Sequence, residues 1–392
     1  HNAGFATGGD SCASTVHAWT LAWAGRGVQC AHDNGALRIS CTDSADAVGF
    51  VEQPMHIAPV AEPVLFSLSA GVRTNDLRGK GATLNIACYD ASGGFLTNKD
   101  MGLYPQGWIH GTAPMARHTL KAILPAGTAM VNVGLLANGR GTVWLDNVAV
   151  ERIPLQGRTA DARSQAYLAA ALDTIRAHAL YRDSVDLDSL RTVALRIAGS
   201  GDDPADRHLA VEFLLHALGD HHSFLMAPAT YTAWKNNEGA AHVPVEFATH
   251  RRIGDNGYIA VPAFMSGDPL AMDAFADSLQ RALRELAHSG VKGWIVDLRR
   301  NTGGNMAPMV AGLGPLFDPG VLGGLTDVRG RTEQWSYRDG VYGWEGRATL
   351  RVPHPVQLAN ALPIAVLTSG QTGSSGECTA LSFVGNRRTR SF

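Results

Sequence analysis

The sequence has few lysines, no excess of charge of either sign and no long apolar run. Lysine occurs at only five positions, and 33 basic side chains face 35 acidic ones, which leaves a formal net charge of −2. A balance so close to zero argues against binding to nucleic acid or to a membrane surface through bulk charge. No apolar stretch reaches the roughly 18 residues that a membrane-spanning helix needs. We therefore expect neither a nucleic-acid partner nor a membrane span.

Cysteine is also scarce, and its placement is uneven. Of the five cysteines, Cys378 stands alone, and four lie in the first quarter of the chain: Cys12, Cys30, Cys41 and Cys88. They lack the C-x-x-C spacing of zinc sites. One or two disulfides in an exported domain would explain the cluster, and so would buried free thiols. The chain starts at His1 without a signal segment, so we expect either a removed targeting peptide or a cropped start. We also expect an exported protein, periplasmic or extracellular. We expect no cofactor.

The first part of the chain, residues 1–155, is predicted to be an all-β sandwich. Hydrophobic residues make up 45% of the sequence and charged residues 17%, which is enough apolar material for ordinary cores. Short segments of alternating polarity recur at residues 66–72 and 82–89, and Asp33-Asn34-Gly35 is a strong hairpin signal. Such strands at this spacing are typical of sandwiches and barrels.

The pattern changes twice further along the chain. Residues 156–225 carry apolar side chains at helical spacing, which predicts a short helical segment. Residues 226–392 alternate strands with helices, which predicts an α/β core with parallel strands joined by crossover helices. We therefore expect a multidomain chain of three parts.

Two strand–turn–helix segments of the α/β part could carry chemistry. They cover residues 293–305, with Gly303-Gly304 in the turn, and residues 366–377, with Ser374 at the start of the helix. In a parallel sheet both turns emerge at the carboxyl edge, where backbone N–H groups can stabilise a developing negative charge. Each piece also has a simpler explanation: Ser374 and Glu377 fit a helix capping box, and Gly303-Gly304 fits a tight turn.

A serine nucleophile needs a base, and none of the five lysines follows Ser374. The histidines His221 and His222 come directly after a predicted helix, where a side chain can project from a turn. They could alternatively bind a metal with His216, but adjacent histidines point apart and no carboxylate motif completes such a set. We therefore expect no metal and take His222 as the candidate base.

Three motifs in this order resemble the tail-specific (C-terminal-processing) serine peptidase family: Gly-Asp-His-His-Ser-Phe, Asp-Leu-Arg-x-Asn-x-Gly-Gly and Thr-Gly-Ser-Ser-Gly-Glu. The resemblance covers about residues 160–392 and is closer to the tricorn-core and retinoid-binding-protein-like branch. It implies a peptidase core with a crotonase- or ClpP-like ββα spiral. It also implies that Ser374 is the nucleophile and His222 the base.

The same resemblance implies an oxyanion hole made by the backbone N–H groups of Ser375 and of Gly303 or Gly304. Further residues of the three motifs are expected to support the site: Asp297, Arg299, Asn301, Glu377 and Asp220. The sequence departs from the family in three ways. A histidine, His221, stands where a serine is expected, no lysine follows Ser374, and the third catalytic group is expected beyond Phe392.

The closing segment of the β part, residues 141–148, resembles the jelly-roll carbohydrate-binding modules and the galactose-binding-like fold. We expect a serine peptidase that hydrolyses peptide or protein substrates through an acyl-enzyme, with a glycan contact through residues 1–155 as a further prospect. Tyr104 and Trp108 are the candidate sugar contacts, and packing roles are the alternative for both. The competing hypothesis is a non-catalytic ligand- or glycan-binding protein on a degenerate peptidase scaffold.

Overall fold

The computed structural model describes residues 19–42, 47–101, 108–201, 203–220, 222–226, 228, 231–232, 245–358 and 361–392. Cys12, Tyr104 and His221, which the sequence analysis singled out, lie outside these residues. The chain divides into two compact units, His1–Thr230 and Tyr231–Phe392. Among the helices of the described residues, none is long and apolar enough to cross a membrane.

The first unit contains the predicted all-β part, which the structure confirms. In its described residues one sheet is formed by strands β1 to β8: Thr20–Ala24, Val28–Asp33, Ala36–Cys41, Val48–His56, Val64–Tyr89, Phe95–Asp100, Ile109–Leu124 and Met130–Ile153. Strands β5 and β8 pair antiparallel along nearly their whole length. Segments predicted as separate strands, residues 66–72 and 82–89, are the two halves of β5.

Glycines explain why these long strands bend. Gly139 and Gly141 of β8 have φ angles of 126° and 139°, in the region that favours glycine. A Cβ atom on Gly139 would lie 1.7 Å from the carbonyl oxygen of Arg78, so only glycine allows the two strands to approach here. The β5–β8 register shifts at this place, and apolar residues from both halves of each strand share one core.

Three helices follow the strands in the described residues of the first unit, as predicted, and each begins at an aspartate cap. They are α1, α2 and α3: Ala162–His178, Leu187–Ala198 and Pro204–Ala217. Their buried residues, such as Leu172 and Leu214, share a core with Leu65 of β5 and with Leu155. Lys121 of β7 also forms an ion pair with Asp206 of α3 at 2.6 Å. The helical segment is therefore packed on the β-sandwich.

The cysteines divide into two classes. Cys41, Cys88 and Cys378 are free thiols, whereas Cys30 is disulfide-bonded. A framework that pairs all four cysteines of the cluster is therefore absent from this protein. Burial raises the pKa of the Cys88 thiol to about 11, so Cys88 is protonated and unreactive at neutral pH.

The second unit is built on a five-stranded sheet in the order β17-β16-β11-β10-β9. Its strands are Thr249–Ile253 (β9), Asn256–Ala260 (β10), Gly293–Asp297 (β11), Ile364–Leu367 (β16) and Thr389–Ser391 (β17). All neighbouring pairs are parallel except β9 with β10. Its described helices are Pro269–His288 (α4), Met306–Leu313 (α5) and Ser375–Leu381 (α6). The predicted alternation of strands and crossover helices is confirmed.

The prediction of simple alternation is incomplete, because a second sheet lies between α5 and β16. It is an antiparallel meander of Gly320–Thr326 (β12), Thr332–Arg338 (β13), Val341–Trp344 (β14) and Arg347–Arg351 (β15). Its glycines hide the strand pattern in the sequence, because glycine has a low strand propensity. A Cβ atom on Gly323 would lie 2.2 Å from the buried Trp335 ring, so the packing of the meander requires glycine there.

Candidate active site

The two strand–turn–helix segments meet at the carboxyl edge of the five-stranded sheet. Strands β11 and β16 are parallel neighbours, and Asp297 at the end of β11 pairs in register with Leu367 at the end of β16. The turns that follow these strands therefore start side by side. This edge is where open α/β sheets bind ligands, so the sheet itself brings the predicted nucleophile to the Gly-Gly turn.

Hydroxyl groups hold the nucleophile loop, residues 368–374, on the turn after β11. The Ser369 hydroxyl donates to the Arg299 carbonyl at 2.6 Å, and the Thr372 hydroxyl donates to the Leu298 carbonyl at 2.8 Å. Thr372 Oγ1 also accepts the Ser369 N–H at 3.0 Å. Sequence reasoning assigned no role to Ser369 or Thr372. The available signal was two hydroxyl side chains in a loop that directly follows a buried strand.

Two more hydrogen bonds continue this attachment on either side of Ser374. The Gly373 N–H donates to the Asn301 carbonyl at 3.0 Å, and the Ser375 hydroxyl donates to the Gly304 carbonyl at 2.6 Å. The backbone on both sides of the predicted nucleophile is thus fixed to the Gly-Gly turn. Such fixation favours a preorganised site.

Ser374 has an unusual backbone conformation at the N-terminus of α6. Its φ and ψ angles are 52° and −123°, in a region that non-glycine residues rarely adopt. Strain of this kind costs about 1–3 kcal/mol and concentrates at functional sites. Glu377 accepts the Ser374 N–H at 2.9 Å, as in the capping box that the sequence suggested. A strained serine at a sharp turn before a helix is also the geometry of a nucleophile elbow.

The two glycines of the turn differ in their hydrogen bonds. The buried Gly303 donates its N–H to the Asn301 side chain at 2.9 Å, so that N–H is already used. The exposed Gly304 makes no N–H hydrogen bond within the described part of the chain, and neither does the N–H of Ser375. Of the two glycines that the sequence left open, Gly304 therefore has the amide that can bind an oxyanion.

Gly303 instead leaves room for Ser374, the predicted nucleophile. A Cβ atom on Gly303 would lie 2.8 Å from Ser374 Cβ and 3.0 Å from Ser375 N. Its φ angle of 105° also requires glycine. The first glycine of the pair thus provides space for the serine, and the second exposes an amide.

Asn301 is fully buried and connects three segments. Its side-chain amide donates to the carbonyl oxygens of Val261 and Pro262 at 3.2 and 3.0 Å, while its side-chain oxygen accepts the Gly303 N–H. Its own carbonyl accepts the Gly373 N–H. One amide side chain therefore fixes the Gly-Gly turn, the nucleophile loop and the segment after β10 relative to one another.

Asp297 and Arg299 form a hydrogen-bonded pair at the base of the same turn. The Arg299 guanidinium donates to Asp297 Oδ2 at 2.6 Å, and the Tyr258 hydroxyl donates to the same oxygen at 2.6 Å. The bonds from Arg299 lower the pKa of Asp297 to about 2, although burial acts against ionisation, and the Tyr258 bond adds to the shift. Asp297 is therefore ionised and structural; sequence reasoning missed its partner Tyr258.

The other two predicted site residues belong to the first unit. Asp220 accepts the backbone N–H groups of His222 and Ser223 at 3.0 and 2.8 Å, and it accepts the Ser223 hydroxyl at 2.5 Å. Burial opposes ionisation of Asp220, but the bonds from Ser223 and His222 outweigh it and lower its pKa. Asp220 thus fixes the turn that carries the exposed His222. The approach of His222 to Ser374 stays a prediction, and so does the expectation that His216, His221 and His222 bind no metal.

One protein family has a model that matches a part of the second unit. The model of Peptidase family S41 matches residues 255–391. The nisin-resistance protein of Lactococcus lactis subsp. lactis is 37% identical over 132 residues, which are 34% of this chain and 40% of that protein. This chain thus spans less than half of the length of the curated relative that it matches.

Two solved structures are also similar to part of this chain. A lipoprotein from Streptococcus agalactiae is 24% identical, with 58% of this chain and 75% of that chain covered and a TM-score of 0.46. The photosystem II D1 C-terminal processing protease is 15% identical, with 59% and 81% covered and a TM-score of 0.40. The match of residues 255–391 to the model of Peptidase family S41 confirms the family resemblance that was predicted from the sequence.

Proposed function

We propose that this protein is a serine peptidase with Ser374 as its nucleophile. One observation carries the proposal: a strained, half-buried serine lies beside two backbone amides, those of Ser375 and Gly304, that have no described partner. Preorganised amides of this kind stabilise the negative charge that develops on a carbonyl oxygen during acyl transfer. A serine that served only as a helix cap would need neither the positive φ angle nor these amides.

In the proposed reaction the Ser374 oxygen attacks the carbonyl carbon of a peptide bond. The oxygen–carbon bond forms as the base removes the hydroxyl proton, and the oxyanion binds the amides of Ser375 and Gly304. The carbon–nitrogen bond then breaks, and the base returns the proton to the leaving amine. Water, deprotonated by the same base, hydrolyses the acyl-enzyme and restores the serine.

We propose His222 as that base, on the strength of the motif that carries it and of its fixation by Asp220. Imidazole is suited to the role because its ordinary pKa is close to neutral pH. Two histidines of the second unit have other described partners: His250 pairs with Glu285 at 3.0 Å, and His354 pairs with Asp277 at 3.0 Å. Both steps of the proposed reaction need the base, so His222→Ala should abolish turnover. Because His222 is exposed, the variant should keep the fold.

The direct test of the proposal is labelling by a serine-directed fluorophosphonate. The wild-type protein should be labelled once, at Ser374, and Ser374→Ala should be neither labelled nor active on a casein or peptide-library substrate. Nisin belongs in the substrate panel because the curated relative is named for resistance to it.

The matched control is Ser391→Ala, which removes an exposed serine of the same unit. It should keep full labelling and activity. Wild-type protein that is labelled elsewhere, or Ser374→Ala that remains active, would exclude Ser374 as the nucleophile.

A second function, glycan binding by the β-sandwich, is favoured by a groove on its outer face. The groove has a volume of about 420 Å³, and Trp144 lines it together with Asn75 and Thr112. Arg73 stacks 3.9 Å from the centre of the Trp144 ring, which leaves a mixed aromatic and polar surface suited to hydroxyl-rich ligands. Trp144→Ala in the full chain should reduce retention on polysaccharide resin; unchanged retention would exclude this groove.

We also propose that the protein is exported. The disulfide at Cys30 supports this proposal, because disulfides persist mainly in oxidising compartments. Thiol alkylation of protein taken directly from its cells, with and without reduction, should reveal two additional reactive thiols only after reduction.

A further inference from the structure

An exposed methionine lies against the glycine that supplies the proposed oxyanion amide. Met265 is 46% exposed, so its side chain is open to a ligand. Its sulfur is 2.8 Å from the place where a Cβ atom on Gly304 would lie. The thioether therefore covers the Cα side of Gly304, directly beside the unpaired N–H.

The backbone on both sides of Met265 is fixed to the Gly-Gly turn. The Phe264 N–H donates to the Gly303 carbonyl at 3.1 Å, and the Phe264 carbonyl accepts the Asn305 N–H at 2.6 Å. On the other side the Ser266 carbonyl accepts the Asn305 side-chain amide at 3.2 Å. Because these bonds hold residues 264 and 266, the position of Met265 relative to the amide of Gly304 is set by the fold.

A row of aromatic rings leads from this position to a second exposed apolar side chain. The buried Phe264 ring lies 4.7 Å from the Phe275 ring, and the Phe247 ring stacks on Phe275 at 6.2 Å. Phe247 is itself 46% exposed. The buried rings of Phe264 and Phe275 thus anchor the segment that carries Met265, and Phe247 is the exposed ring at the other end of the row.

We propose that Met265, supported by this aromatic row, forms the subsite for the side chain of the substrate residue that supplies the scissile carbonyl, and that this side chain is apolar. The inference rests on the proposed peptidase function. When the Gly304 amide binds the carbonyl oxygen, that side chain branches from the adjacent carbon and must lie beside the amide. Met265 is the side chain that the structure holds there.

The chemistry of the subsite follows from its groups. An apolar substrate side chain removes apolar surface of Met265 from water, whereas a charged one would lose hydration without a partner. A thioether also adapts to side chains of different shapes. The subsite should therefore accept leucine, methionine and phenylalanine and reject aspartate and lysine.

The test uses peptidyl diphenyl phosphonates, which label a catalytic serine after binding as substrates do. The panel carries leucine or aspartate at the position that corresponds to the scissile carbonyl, with the rest of the peptide unchanged. Wild-type protein should react at least ~10-fold faster with the leucine compound. Met265→Gln should lose most of this ratio, and Met265→Leu should restore it.

Met115→Gln is the matched control. Met115 is 44% exposed and its sulfur lies 3.0 Å from the place of a Cβ atom on Gly71, but it belongs to the β-sandwich. This variant should keep the wild-type ratio. Equal rates for both compounds in wild type, or an unchanged ratio in Met265→Gln, would overturn the subsite alone. No reaction of Ser374 with a fluorophosphonate would instead overturn the proposed function, and the subsite with it.

Discussion

Ser374 carries a conformational cost that its neighbours maintain. The positive φ angle at this residue persists because hydrogen bonds at Gly373 and Ser375 fix the backbone on both sides. Glycine would adopt this conformation without a steric penalty, whereas alanine would keep the penalty. The strained backbone of Ser374 thus lowers the stability of the fold, and the same conformation makes the side chain project from the turn.

This cost can be measured with two inactive variants. Ser374→Gly is expected to have a free energy of unfolding about 1 kcal/mol higher than Ser374→Ala, because only glycine relieves the strain. Urea titrations of both variants check the difference. At Ser278, in the middle of helix α4, the order should reverse, since alanine is the better helix former. Equal stability of the two Ser374 variants would show that the backbone there is unstrained.

Asn301 is the residue whose loss should affect stability and activity together. Asn301→Ala leaves the Gly303 N–H and the carbonyls of Val261 and Pro262 without their partner, so we expect a loss of about 2–4 kcal/mol in the free energy of unfolding. Phosphonate labelling of Ser374 should fall at temperatures where the variant is still folded.

A suitable comparison is Asn386→Ala, which removes a bond to the Leu316 carbonyl and a bond from the Arg388 N–H. It should lower the free energy of unfolding by about 1–2 kcal/mol and leave labelling unchanged. A folded Asn301→Ala variant with wild-type labelling would show that the turn keeps its geometry without this amide.

Asp297 makes the stability of the second unit depend on pH in the acid range. Its pKa is depressed to about 2 in the folded protein, so its contribution is complete above its ordinary pKa of 3.8 and is lost as the pH falls towards 2. Between pH 5 and pH 2, the free energy of unfolding of the wild type should fall by about 2 kcal/mol more than that of Asp297→Asn. This value is an upper bound, because water screens the charge of the exposed Arg299.

Urea unfolding at several pH values measures this difference. Asp318→Asn, which removes an exposed carboxylate paired with Arg388, should follow the wild-type curve. Parallel curves for wild type and Asp297→Asn would contradict the assigned pKa shift.

At the scale of elements, the site depends on how the loop after β16 is attached to the turn after β11. Thr372→Val keeps the shape of the side chain but removes its bond to the Leu298 carbonyl and the acceptor for the Ser369 N–H. We expect the free energy of unfolding to fall by about 1–2 kcal/mol and the labelling of Ser374 to become slower. Thr372→Ser should restore both, because it restores the hydroxyl. Wild-type labelling of Thr372→Val would show that the remaining bonds suffice.

The elements that the sequence predicted well are those with strong periodic patterns. Helix α4 and strand β11 were expected because one has an apolar stripe and the other an apolar run. The meander β12–β15 was missed because its glycines, such as Gly323, make room for rings on a neighbouring strand, here that of Trp335. The roles of Gly303 and Gly304 could not be separated either, since their difference lies in which N–H meets the Asn301 side chain.

At the scale of the whole molecule, charged side chains attach the helices of the first unit to its strands. The Asp206 carboxylate of α3 is only 9% exposed and binds both Lys121 at 2.6 Å and Arg158 at 3.1 Å. These cations come from β7 and from the segment after β8, so one carboxylate joins three parts of the unit. Removing it leaves the partly buried Arg158 without its carboxylate and leaves Lys121 with only the more exposed Asp203.

Asp206→Ala is expected to lower the free energy of unfolding of the first unit by about 3 kcal/mol. Hydrogen exchange should show the loss of protection within residues 1–230, with the second unit unaffected. Asp76→Ala, which removes an exposed pair with Arg78, should change stability by less than ~1 kcal/mol. A similar effect of both variants would mean that the Asp206 network adds little.

The two amides of the proposed oxyanion hole come from different parts of the chain, some 70 residues apart in sequence. Their separation is set by a few hydroxyl and amide contacts and by no covalent link. Gentle heating or mild denaturant should widen this gap before the sheet beneath it melts. Peptidase activity is therefore expected to be lost before the sheet unfolds, and to return on cooling without refolding.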